Sequence, residues 1–103
     1  MHLMQERAMI PTVVNERSVR SFRFYRDGYL CEGIRYGNTL YRLVKTFGKH
    51  EEDSAYSCCG QLLQYSSADH PAAIITTSPQ QYRLWAELRV ELPSDAAVAL
   101  QYA

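Results

Sequence analysis

Three cysteines, three histidines and one run of carboxylates are the residues of this 103-residue chain whose types can do chemistry. The adjacent pair Cys58-Cys59 invites a redox or nucleophilic reading. A reactive thiol needs its pKa depressed by a helix N-terminus, a cation or a metal. Both cysteines instead fall mid-helix on an apolar stripe with no Lys or Arg within a helical turn, so they read as buried, inert thiols. Cys31 falls in a predicted strand and reads the same way. The histidines His2, His50 and His70 form no C-x-x-C or H-x-x-x-H spacing, and more than two helical turns separate His50 from Cys58, so no metal site is expected. His70, just before Pro71, reads as a loop residue. The run Glu51-Glu52-Asp53 is explained as a helix start, where carboxylates meet free N–H groups and the positive dipole end. Ser57 lies on the wet face of that helix, and no Gly-rich phosphate loop is present. The expectation is a protein without catalysis, metal or cofactor.

What remains is recognition. Arg20, Phe22, Arg23, Phe24, Tyr25, Arg26, Tyr29, Arg35, Tyr36, Tyr41 and Arg42 interleave cations with rings. An aromatic sheet with basic flanks is how single-stranded nucleic acid is stacked and steered. Against that reading stand a formal net charge of zero, scarce lysine and the absence of the RNA-recognition consensus. The charge is nevertheless bipolar. Residues 16–45 hold seven basic and three acidic side chains, residues 46–103 three basic and seven acidic. Such polarity is neutralised inside the fold, between copies, or by a partner.

The elements that must position these residues follow from periodicity. Residues 82–92 alternate without a fault, with Tyr82, Leu84, Ala86, Leu88, Val90 and Leu92 on one side and Arg83, Trp85, Glu87, Arg89 and Glu91 on the other, the pattern of a long strand. Residues 20–26, 29–36 and 39–47 read as a three-stranded antiparallel meander. Its turns are Asp27-Gly28, the strongest two-residue hairpin signal, and Gly37-Asn38. After Gly48 the period becomes 3.6. Ala55, Cys58, Cys59, Leu62 and Leu63 form one stripe bordered by Tyr56 and Tyr65, giving an amphipathic helix of about four turns. Gly60 within it costs roughly 1 kcal/mol. Residues 72–77 are β-prone and nearly all apolar, as a strand deep in a sheet should be.

The order β-β-β-α-β-β predicts an α+β fold, an antiparallel sheet of about five strands with one helix on one face. Residues 20–92 form this domain. Residues 1–19 are a weakly ordered segment with room for one or two helical turns over Met1 to Ile10, stopped by Pro11, and a short edge strand at Thr12-Val13-Val14. Residues 93–103 are a tail that Asp95 caps as a short helix with Ala96, Val98, Leu100 and Tyr102. One helix covers one face only, so Trp85, Arg83 and Arg89 are expected on the other, with Arg23, Tyr25 and Tyr41 beside them. Trp, Tyr and Arg are the types enriched at interface hot spots. The leading expectation is therefore a small protein-binding module (an assembly factor, adaptor or accessory subunit) that also forms a homodimer through this face. The alternative partner is RNA or single-stranded DNA, bound by residues 20–42. The competing arrangement has Trp85 covered by one of the chain's own ends. An odd cysteine count, with no secretion signal and no membrane-length apolar run, points to the cytoplasm.

Overall fold

The computed structural model describes residues 10–67 and 69–88. Strand β1 (Val13–Asn15) leads through a 3-10 turn at Glu16–Ser18 into β2 (Arg20–Arg26), β3 (Tyr29–Tyr36) and β4 (Thr39–Gly48). A second 3-10 turn at Lys49–Glu51 opens helix α1 (Glu52–Leu63), and β5 (Ala73–Thr77) and β6 (Gln81–Glu87) complete the order. The strands make one sheet in the order β1-β5-β6-β4-β3-β2. This corrects the expected architecture in two respects. Among the described residues the sheet has six strands rather than five, and it is mixed, because β1 pairs in parallel with β5 while every other pairing is antiparallel. The sixth strand comes from the segment before residue 20, whose docking against β5 places it in the fold.

The meander forms as the turn chemistry dictates. Arg26 pairs with Tyr29 across Asp27 (φ 53°) and Gly28 (φ 83°), so both central residues take the positive φ that a type I′ turn requires. Tyr36 pairs with Thr39 across Gly37-Asn38, where Gly37 alone has positive φ (63°), as a type II′ turn requires. In α1 the stripe is as periodicity predicts: Ala55, Cys58, Cys59, Leu62 and Leu63 are its buried residues. Glu51 Oε1 accepts the Gly48 N–H at 2.7 Å, which satisfies a donor ahead of the helix.

A bulge in β4 decides which residues serve which side. Leu43 pairs with Trp85 and Lys45 with Leu84, so Val44 is the extra residue. Without it, Tyr41, Leu43, Lys45 and Phe47 would all share one face. With it, Phe47 joins α1, Ala73, Ile75, Tyr82, Leu84 and Ala86 in one core. Tyr41 joins Ile34, Ile74 and Trp85 in a second core on the opposite side. Helix α1 packs on β4, β5 and β6. Strand β6 ends at Glu87, and Leu88 turns, its N–H donating to Leu40 O at 2.9 Å. The remainder of the predicted 82–92 strand, Arg89 included, and the predicted tail helix lie outside the described residues. Among the described residues no helix is long and apolar enough to cross a membrane.

Candidate functional site

The register places the predicted contact residues other than Arg89, which lies outside the described residues, on one side of the sheet. Arg23 pairs with Glu32 and Ile34 with Tyr41, while Leu43 pairs with Trp85, so Arg23, Tyr25, Tyr41, Arg83 and Trp85 share the face opposite α1. That face is not open around Trp85, which corrects the expectation of an outward tryptophan. Trp85 is 2% exposed, and Val14, Val19 and Leu43 pack against its core. Its indole N–H donates to Thr76 Oγ1 at 2.8 Å, and the Thr76 hydroxyl donates to Glu16 Oε2 at 3.2 Å. Glu16 and Glu32 in turn hold Arg83, at 3.5 and 3.4 Å. Tyr41 is fully buried, its hydroxyl donating to Pro71 O at 3.0 Å; burial, then the charge of Glu87, pushes its pKa up to about 12. The cause is the chain ahead of β2: β1 and the turn after it supply Val14, Glu16 and Val19 to this side. Of the predicted contacts, Arg23 and Tyr25 remain exposed.

Among the described residues, the surface left without a covering element lies on the helix side, where the sheet runs past α1 into the meander. Pairing across β2, β3 and β4 sets its rows. Arg20 lies beside Arg35 and Leu40, Phe22 beside Gly33 and Arg42, Phe24 beside Cys31, and Arg26 beside Tyr29. No carboxylate stands in these rows. Strand β2 alone presents the sequence cation, ring, ring, cation along one face. Gly33 makes the middle row possible: a Cβ there would lie 2.5 Å from the Phe22 ring, so the ring packs directly against the strand at the glycine. Phe22 and Phe24 are half-buried, with centroids 5.8 Å apart and planes tilted by 41°. Tyr29 is 75% exposed, and Arg20, Arg26 and Arg35 are exposed. The Arg42 guanidinium is half-buried; burial and then the neighbouring Arg26 lower its pKa.

Cys58 and Cys59 are buried, as their place on the helix stripe predicts, whereas Cys31, expected to be buried like them, is only half-buried in β3. Burial pushes Cys59 up to about 12 and raises Cys58, against which Lys45 pulls downward. That lysine reaches Cys58 from β4, a proximity that helix spacing does not reveal. Reading along the chain also missed a pairing: His70 Nε2 lies 2.6 Å from Oε2 of the buried Glu87. No local signal joins the two, which are seventeen residues apart. Among the described residues no group of three or more His, Cys, Asp or Glu side chains could hold a metal ion. The helix-side strip itself was legible in part, since Arg20, Phe22, Phe24 and Arg26 share one parity of a strand. No protein-family model, no curated protein and no solved structure matches the chain.

Proposed function

We propose that this chain is a small non-catalytic binding module that holds an anionic partner on the helix-side face of the β2–β4 meander. The observation that carries the reading is the strip of Arg20, Arg26, Arg35 and Arg42 around Phe22, Phe24 and Tyr29, with no carboxylate among them. Like charges crowded on one face raise the energy of the free protein, and an anion laid across them relieves it. An exposed tyrosine and two half-buried phenylalanines beside arginines are the composition of binding surfaces, not of ordinary solvated ones. The zero net charge is no obstacle, because the balancing carboxylates lie mostly outside the meander.

The test is retention on a heparin column in 50 mM salt. The wild-type protein should be retained, and Arg20→Glu/Arg35→Glu should pass through. Arg23→Glu, on the opposite face, should leave retention intact. A wild-type protein that fails to bind refutes the reading.

A protein partner is the second reading, favoured by one feature. Tyr25 and Leu30 are cross-strand neighbours on the other face of the hairpin and are 77% and 53% exposed. Such a pair beside Arg23 suits an apolar protein contact, and self-association through it would give a homodimer. Tyr25→Ser/Leu30→Ser would then lower the mass in light scattering or abolish binding of that partner.

A further inference from the structure

We infer that the partner of the helix-side strip is single-stranded nucleic acid, with bases stacked on Phe24 and Tyr29 and phosphates held by Arg20, Arg26, Arg35 and Arg42; this rests on the binding-module reading above. Three features of the strip select this ligand. Cations alone would suit any polyanion, but here rings lie between them. Phe22 packs directly on Gly33, and Phe24 lies beside Phe22 with ring centroids 5.8 Å apart, so the platform is packed in place before any ligand arrives. A base offers a flat π face to such a ring, whatever its sequence. An acidic peptide offers carboxylates to the arginines and nothing flat to the rings.

The second feature is length. Arg20 and Arg26 bracket β2 at six residues' separation, about 20 Å of extended strand. That is room for a short run of about four nucleotides, the low end of the range for proteins of this binding type. The third is strandedness. In a duplex both faces of every base are already stacked, so only phosphates would meet the strip and Tyr29, 75% exposed, would find no partner. Unpaired bases can be splayed onto the rings while the backbone follows the arginines.

The experiment is fluorescence anisotropy with a fluorescein-labelled twelve-nucleotide oligo(dT), the unlabelled duplex of the same length and poly-glutamate serving as competitors. The expected dissociation constant is on the order of micromolar at 50 mM salt. Four phosphate contacts on a single strand give a log–log salt slope of about −2.8, so binding should weaken about 50-fold between 50 and 200 mM. Tyr29→Ala should weaken it about fivefold or more, the lower bound for loss of one stacked base. Its urea midpoint should stay unchanged, because the ring lies mostly in solvent. Competition by poly-glutamate equal to that of unlabelled oligo(dT), or a Tyr29→Ala variant that binds as tightly as wild type, overturns the inference. Absence of oligonucleotide binding by a protein still retained on heparin overturns it too, while leaving the binding-module reading standing. Failure on both supports removes that reading as well.

Discussion

Replacing Gly33 by Ala tests how the strip is built. Gly33 has no positive φ, so alanine's backbone preference is not at issue. The obstacle is space. The added Cβ would sit 2.5 and 2.6 Å from two atoms of the Phe22 ring and 3.0 Å from the Tyr41 carbonyl oxygen. The ring must therefore leave the strand, and overpacking of this kind destabilises by about 1–3 kcal/mol. In a Phe22→Ala background the clash with the ring disappears and only the carbonyl contact remains. Alanine also forfeits less backbone entropy than glycine within a strand, about 0.5–1 kcal/mol in its favour. The same substitution should then cost little or be neutral, which makes the coupling between the two sites at least about 1 kcal/mol. Urea unfolding of the four proteins measures it, through midpoints at an unchanged m-value. Equal costs of Gly33→Ala in both backgrounds would show that the ring does not lie on the glycine, and the fixed platform would be refuted.

Thr76→Val keeps the shape of the side chain but removes the acceptor of the Trp85 indole N–H, so stability should fall by about 1–3 kcal/mol in urea titration. Trp85 is the single tryptophan, so intrinsic fluorescence reports on it alone; iodide should quench it poorly in the folded protein and readily in urea. Alkali should weaken the fold. Cys59 and Tyr41 have folded pKa values near 12 against ordinary values of 9.0 and 10.0, so the unfolded chain releases their protons first. Their contribution is complete below about pH 9 and is lost as pH rises toward 12, so the urea midpoint should decline across that window, and less steeply in Cys59→Ala. A flat profile would contradict the burial of both groups.

The helix and the meander were legible because their signals are local. The stripe of Ala55, Cys58, Cys59, Leu62 and Leu63 is a matter of spacing, and Asp27-Gly28 and Gly37-Asn38 name their own turns. The sidedness of β6 was legible for the same reason, since Trp85 and Arg83 do face away from α1. What covers that side was not, because the covering contacts span the chain. Val14 reaches the tryptophan through a parallel pairing with Thr76, and Glu16 bonds a residue sixty positions away. Residues 39–47 alternate in a way that hides the bulge at Val44, so Tyr41 and Phe47 share a parity yet belong to different cores. The open surface moved accordingly. A face counted as bare was filled by the segment before residue 20, and the helix proved too narrow to reach β2 and β3 on its own side.

The most direct measurement of the central claim is a titration of the isotopically labelled protein with oligo(dT), followed by backbone amide chemical shifts. Shifts should concentrate at Arg20, Phe22, Phe24, Arg26, Tyr29 and Arg35, and leave Glu16, Thr76, Arg83 and Trp85 in place. Perturbations centred on the Trp85 side, or spread evenly over the molecule, would contradict the account.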